Sequence, residues 1–205
     1  MPRAPVQSRS KEKKRKIIVA GMKLFSDKGF HKTSINEIVE NADVSVGSFY
    51  GYFKNKKDLL IEVSQAYGNS IIKGIYGNIA EDAPVSKDGH SIIKYIVSSA
   101  KQAHTLSTEL HREMLALKNR EPEMAKLDRR ITLSFQEGIE TILEKCGNRI
   151  KVKDTHTAAK LVAGAIEETM HRCFLENQEE NQEQTFNELT EMCAGYLFHP
   201  AKQSE

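Results

Sequence analysis

Between Ser45 and Lys56 the sequence gathers side chains suited to gripping a polyanion and touching base edges: Ser45, Val46, Gly47, Ser48, Tyr50, Tyr52 and Lys56. Serine hydroxyls at 45 and 48 can donate to or accept from phosphates and base edges, and an outward Val46 can meet a thymine methyl. Gly47 adds no side chain, so the backbone can come close to a groove. The phenols of Tyr50 and Tyr52 suit phosphate, and Lys56 brings a cation to the start of a helix, where the local field already favours anions. Each has a plainer reading. Ser45 also suits a helix cap, the tyrosines suit packing, and a lone lysine suits a solvated surface.

A second group lies further on. His104, Thr108 and His111 share one face if a single helix spans them, with Tyr95 and Arg112 near enough in sequence to add polar contacts. Zinc can use two histidines, but no third ligand is evident. The expectation is therefore satisfied or exposed histidines, or polar contacts in a pocket for an organic ligand, with no metal and no cofactor. Cys146, Cys173 and Cys193 are odd in number, widely spaced and without CxxC pairing, so they read as buried apolar thiols in a reducing cytoplasm. No Gly-rich phosphate loop, GxSxG, HExxH or framed carboxylate pair occurs, and no enzyme is expected.

The elements that must position these residues are helical throughout, because apolar residues recur at three and four rather than at two. Residues 1–9 carry two prolines and read as a disordered arm, and Ser10 caps a first helix to about Lys28, stopped by Gly29. Ser34 with Glu37 forms an S-x-x-E capping box for a short second helix whose inner face is Ile35, Ile38, Val39 and Ala42. The pattern breaks at Asn41–Val44. Ser45 then caps a third helix bearing Val46, with Phe49 and Phe53 as core, and Asn55 caps a long fourth helix to about Asn78. After a loop marked by Asp82, Pro84 and Gly89, helices follow near 89–105, 107–119, 122–146, 155–176 and 184–198. Pro122 occupies a helix first position, where its missing N–H costs nothing. The fold class is all-α: an N-terminal three-helix helix-turn-helix domain over 1–54, then a C-terminal bundle of about six helices over 55–205.

Charge divides the same way. Residues 1–57 hold 13 Lys and Arg against 5 Asp and Glu, a net +8, while residues 58–205 carry −6 and the whole chain +2. A basic end on an acidic body points to a module that faces a polyanion, joined to a body with another task. No apolar run approaches the roughly 18 residues of a membrane span, and Met1–Ser10 has no apolar stretch like that of a secretory signal.

Two short helices joined by a tight turn in a basic region have the form of a helix-turn-helix. The run Gly29-Phe30-x-x-Thr33-x-Ile35-x-x-Ile38-Val39-x-x-Ala42-x-Val44-Ser45-x-Gly47-Ser48-Phe49-Tyr50-x-Tyr52-Phe53-Lys54-Asn55-Lys56-x-x-Leu59-Leu60 closely resembles the DNA-binding domain of TetR/AcrR-type regulators. The likeness covers about 45 residues, near positions 15–60. It implies a homodimeric repressor on a palindromic operator, released when a small molecule binds the C-terminal domain. It also implies that Thr33, Ser45, Val46, Gly47, Ser48, Tyr50, Tyr52 and Lys56 are the DNA contacts. Two positions depart from the family's pattern. Asp43 stands where glycine is usual, although Asp tolerates the left-handed conformation, and Gly51 has no side chain where some relatives carry a larger one.

A reading head of this size needs two half-sites. The last two helices are the expected dimer surface, through Leu161, Ala165, Ile166, Thr169 and Met170 on one and Phe186, Leu189, Cys193 and Tyr196 on the other. Two core helices of a monomer are the plainer alternative. The expected partners are thus a double-stranded DNA operator, a second copy of the chain and an unidentified small-molecule effector, with no membrane. A helical sensor without DNA binding leaves residues 33–53 unexplained, and an architectural nucleic-acid protein has no need of so large an acidic body.

Overall fold

A computed structural model describes residues 4–175 and 181–200. Among these the chain is helical, with one isolated antiparallel bridge, Ile150 to Phe198, in place of any strand. The helices are α1 (Ala4–Lys28), α2 (Ile35–Ala42), α3 (Val46–Tyr50), α4 (Lys56–Gly74), α5 (Gly89–Thr105), α6 (Thr108–Lys118), α7 (Pro122–Cys146), α8 (Thr155–Met170) and α9 (Gln182–Leu197). They fall into two compact units. One comprises the chain up to Gly68 with Ser107–Asp128, the other Asn69–Leu106 with the chain from Arg129 onward. The first unit therefore extends past residue 54 into α4 and takes in α6 as well.

In the first unit, α1 starts at Ala4, not at Ser10. The run through the lysines consists of good helix formers, and Pro5 sits in the first turn, where proline is tolerated. The expectation of a disordered arm lies outside the described residues for positions 1–3. Ile17, Ala20 and Phe25 are buried along α1, and a Cβ at Gly21 would stand 2.9 Å from the Leu59 side chain, so glycine there lets α1 close on α4. Gly29 ends the helix at φ 83°, its N–H donating to the Phe25 carbonyl. Tyr67 of α4 is buried and donates to the carbonyl of Ser107, whose own hydroxyl caps α6. Burial pushes the Tyr67 phenol up to about 12.

In the second unit, Ile92, Ile93, Ile96 and Ala100 of α5 are buried, as are Phe135, Ile139 and Ile142 of α7 and Ala158, Ala163 and Ile166 of α8. The Tyr76 ring stacks on Phe135 at 4.5 Å between centroids. A Cβ at Gly138 would lie 2.3 Å from Ile79, so that close approach admits only glycine. Pro122 does open α7, and Gly147 at φ 55° follows its end. Two boundaries shift. α4 stops at Gly74, with a 3-10 turn at Tyr76–Asn78, and α8 passes at His171–Leu175 into a π-helical turn. Cys146, Cys173 and Cys193 are all buried free thiols, and burial raises Cys193 to about 11, so it stays neutral as a small apolar group.

Candidate nucleic-acid interface

The site is built on α2, the turn after it, and α3. Ser34 caps α2 reciprocally: its hydroxyl accepts from the Glu37 N–H at 3.2 Å, and the Glu37 carboxylate accepts from the Ser34 N–H at 2.8 Å. Lys28 also donates to Glu37, and this bond, followed by those from Ser34, holds the Glu37 carboxyl down at about 2. Ile38, Val39 and Ala42 are buried and pin the helix. The turn then requires a left-handed residue. Asp43 supplies it at φ 52°, ψ 53°, the sole non-glycine with positive φ among the described residues, and its N–H reaches the Glu40 carbonyl. Val44 donates to Val39 at 3.0 Å and closes the turn.

α3 is only five residues long, too short to stand alone. Its stability is tertiary. Phe49 is fully buried and Phe53 nearly so, their rings 5.5 Å apart. Truncating Phe49 would cost about 3–5 kcal/mol. Ser45 caps the helix, its hydroxyl accepting from the Ser48 N–H at 3.1 Å and lying 3.0 Å from the Ser48 hydroxyl. The plainer reading of Ser45 as a cap thus holds, and the residue is exposed as well.

The front of α3 faces outward. Ser45, Val46 (41% accessible) and Gly47 are exposed, Ser48 is half-buried, and Tyr50 is 55% accessible. A Cβ at Gly47 would meet nothing nearer than the Ser45 hydroxyl at 4.0 Å, so packing inside the chain does not demand glycine there. Tyr52 is half-buried, with its phenol 3.0 Å from the Ser10 hydroxyl of α1.

Two residues of the expected contact set sit elsewhere. Thr33 is 2% accessible, and its hydroxyl donates to the Gly29 carbonyl at 2.9 Å, closing the approach to α2. Lys56 directs its ammonium inward to the carbonyls of Phe30 and Thr33, both at 2.7 Å, and over the Phe30 ring at 4.3 Å. Partial burial lowers its pKa. Sequence could not show either placement, because both depend on where the 29–33 turn folds back. What sequence reasoning passed over are the exposed lysines of α1 and the α3–α4 turn. Lys16, Lys23 and Lys54 are exposed and enter no described ion pair. Arg15, Lys16 and Lys23 line a surface groove of about 300 Å³ with Asn41 and Asp43, beside the turn.

The other expected residues divide between the units. α5 ends at Thr105 and α6 starts at Thr108, so no single helix places His104, Thr108 and His111 on one face. In the first unit, His111 is buried against the edge of the Tyr67 ring, Thr108 is half-buried, and Arg112 pairs on the surface with Glu109 at 2.6 Å. In the second, Tyr95 is half-buried, its phenol raised by burial, and His104 is buried. On α8 and α9, Leu161 (59%) and Tyr196 are exposed, and Ala165, Thr169 and Phe186 are half-buried. Ile166, Met170, Leu189 and Cys193 face inward as core. Met192, also exposed at 57%, joins Leu161, Ala165 and Tyr196 around an apolar groove of about 310 Å³ floored by Val162 and Cys193.

A pinned first helix, a left-handed turn and a short second helix with its leading edge outward define a helix-turn-helix DNA-binding protein. Residues 17–63 match the family model described as bacterial regulatory proteins, tetR family, and residues 90–197, more than half of the chain, match the tetracyclin repressor-like C-terminal domain. The chain belongs to the TetR family of transcription regulators, and is a regulator, not an enzyme. It is 26% identical over 166 residues to the fatty acid metabolism regulator protein of Bacillus subtilis, covering 79% of this chain and 84% of that one. Its fold is similar to that of FadR from Bacillus subtilis in complex with stearoyl-CoA, with TM-score 0.62, 21% identity and 89% and 98% of the two chains covered. A regulator from Saccharomonospora viridis in complex with choline superposes with TM-score 0.72, 12% identity and 91% and 98% covered. No helix among the described residues is long and apolar enough to cross a membrane.

Proposed function

We propose that this chain is a ligand-responsive repressor that binds a palindromic operator as a homodimer in the cytoplasm and leaves it when a small organic effector binds. The observation that carries the reading is the leading turn of α3: Ser45, Val46 and Gly47 are exposed while Phe49, directly behind, has no accessible surface. Ser45, Val46, Gly47 and Ser48 enter the major groove, and Tyr50 and Tyr52 hold phosphates on either side. Lys54, Lys16 and Lys23 add phosphate contacts. Thr33 and Lys56 serve by fixing the 29–33 turn rather than by reaching DNA.

The homodimer pairs the α8–α9 face of one protomer with the same face of a second copy. Support comes from the exposed Leu161, Met192 and Tyr196 around one apolar groove. It comes also from Gly164 and Gly195 on the same two helices, where an added Cβ would meet nothing within the chain. Large apolar side chains and bare backbone at one surface suit a self-complementary helix interface. The effector belongs to the C-terminal region, and Tyr95 is its half-buried polar contact in the second unit. The relatives named for fatty acid metabolism make acyl thioesters the first effectors to assay.

Capture of bound genomic DNA followed by footprinting tests the reading. A short palindromic protected segment, lost on addition of effector, is expected. Protection of no unique segment would overturn it.

A further inference from the structure

The second unit contains a group of donor atoms that DNA reading does not use. His104 of α5 points its Nε2 toward Glu167 Oε2 at 3.5 Å, and His171, one helical turn after Glu167, brings its Nε2 to the same oxygen at 3.7 Å. A ring nitrogen of His104 lies within 4.8 Å of one on His171, and the two ring centroids are 5.2 Å apart. His104 is 1% accessible, and Glu167 and His171 keep only 17% and 23% of their side-chain surface.

Each donor is already oriented. His104 Nδ1 lies 2.9 Å from the Ala100 carbonyl. A carbonyl only accepts, so Nδ1 carries a proton, and a metal ion would be met by Nε2, the ring nitrogen on the Glu167 side. The Tyr76 phenol donates to Glu167 Oε1 at 3.1 Å, which leaves Oε2 turned toward the imidazoles. His171 opens the π-helical turn, one helical turn beyond Glu167. An imidazole fixed by a backbone carbonyl and a carboxylate fixed by a hydroxyl are the outer contacts that metal ligands use.

From this geometry we infer that His104, Glu167 and His171 form a binding site for a divalent transition-metal ion of the zinc class. Ligands at about 2.0–2.1 Å in a tetrahedron stand about 3.3–3.4 Å from one another, close to the separations to Glu167 Oε2. Two neutral imidazoles and one carboxylate are borderline-soft donors matched to zinc, cobalt or iron rather than to calcium or magnesium. Three protein donors leave a position for water or for the donor atom of an effector. A bound dication also offsets the burial of a carboxylate among imidazoles. The sequence reading stopped at His104 and His111 because Glu167 and His171 lie more than 60 residues away from His104.

The test uses the full chain without an affinity tag, stripped with a chelator and kept free of DNA, so failure to find an operator does not bear on it. Zn²⁺ is titrated in competition with a chromogenic chelator, and Co²⁺ is followed by its visible bands and by the hyperfine-shifted N–H signals of its imidazole ligands. We expect one ion per chain, imidazole N–H signals from two histidines, and at least a tenfold loss of affinity in Glu167→Gln and in His171→Gln. Tyr76→Phe, which removes the donor to Glu167 Oε1 and keeps the ring, should weaken binding by about tenfold. Absence of uptake by the wild-type chain would overturn the proposal. So would uptake indifferent to both substitutions. Where the variants fail to fold, the cobalt-shifted signals of the wild-type chain decide: their absence refutes the site.

Discussion

Substituting Gly47 with alanine separates folding from DNA reading. The added methyl meets no atom of the chain nearer than 4.0 Å, and Gly47 is helical, in the first turn of α3. Alanine should therefore stabilise the unit by up to about 0.5–1 kcal/mol through backbone entropy. For a chain of this length that raises Tm by about 1–4 °C. If Gly47 is where backbone meets groove, the same methyl holds the helix off the bases and loses contacts of about 1–3 kcal/mol per half-site. Operator affinity should then fall by roughly 5- to 150-fold per half-site while the protein becomes more stable. Thermal melting and fluorescence anisotropy on the captured operator measure the two effects. A variant that is more stable and binds as tightly as the wild type would refute close approach at Gly47, and with it the docking of α3 by its leading turn.

Other outcomes follow from the same geometry. Lys54→Ala should reduce the salt dependence of DNA binding by about one charge with Tm unchanged, whereas Lys56→Ala should lower Tm, because its ammonium holds the Phe30 and Thr33 carbonyls; equal effects from the two would contradict the inward placement of Lys56. Leu161→Glu and Met192→Glu should give monomers by light scattering with little change in helicity, and intact dimers would move the interface elsewhere. Glu37 titrates at about 2 in the folded chain against 4.5 ordinarily, so its stabilisation is complete above pH 4.5 and lost as pH falls toward 2. The Tm gap between wild type and Glu37→Gln should close over that range, and a gap persisting at pH 2 would remove the carboxylate from the capping role.

The helix-turn-helix was legible because its determinants are local. A capping box, an aspartate able to turn left-handed and two phenylalanines four apart each act within one or two turns of helix, so spacing alone reveals them. Ser45–Ser48 emerged as the leading edge for the same reason. What spacing does not show is long-range placement. Thr33 and Lys56 read as contacts until the fold turned one into the core and aimed the other at carbonyls. Ile166, Met170 and Cys193 read as interface because an apolar stripe does not say which of its edges is covered. Met192, which is exposed, looks no different in sequence from a core methionine. His104 needed Glu167 and His171, which a different helix brings to it, and no spacing rule connects them.

The reading head distributes its tolerance unevenly, and that has a consequence for specificity. Behind α3, burial of Phe49 and Phe53 holds the helix, and loss of either costs several kcal/mol. In front, Val46 is 41% accessible and a Cβ at Gly47 would meet nothing nearer than the Ser45 hydroxyl at 4.0 Å, and exposed substitutions of that kind usually change stability by less than about 0.5 kcal/mol. On the docking proposed for α3, stability and base preference are therefore set by opposite faces of the helix. Substitution of Val46 or Ser48 should change which operator is preferred while leaving the melting curve nearly fixed. Ser45 is the exception, since its hydroxyl both caps α3 and reaches the surface. Ser45→Ala should cost about 1 kcal/mol in stability as well as affinity, so its loss cannot be read as loss of a base contact until the capping cost has been measured separately. Ser45→Asp retains the cap but sets a negative charge against phosphate. Restored Tm with still weaker DNA binding would assign Ser45 both roles, whereas recovery of both together would leave it a cap alone.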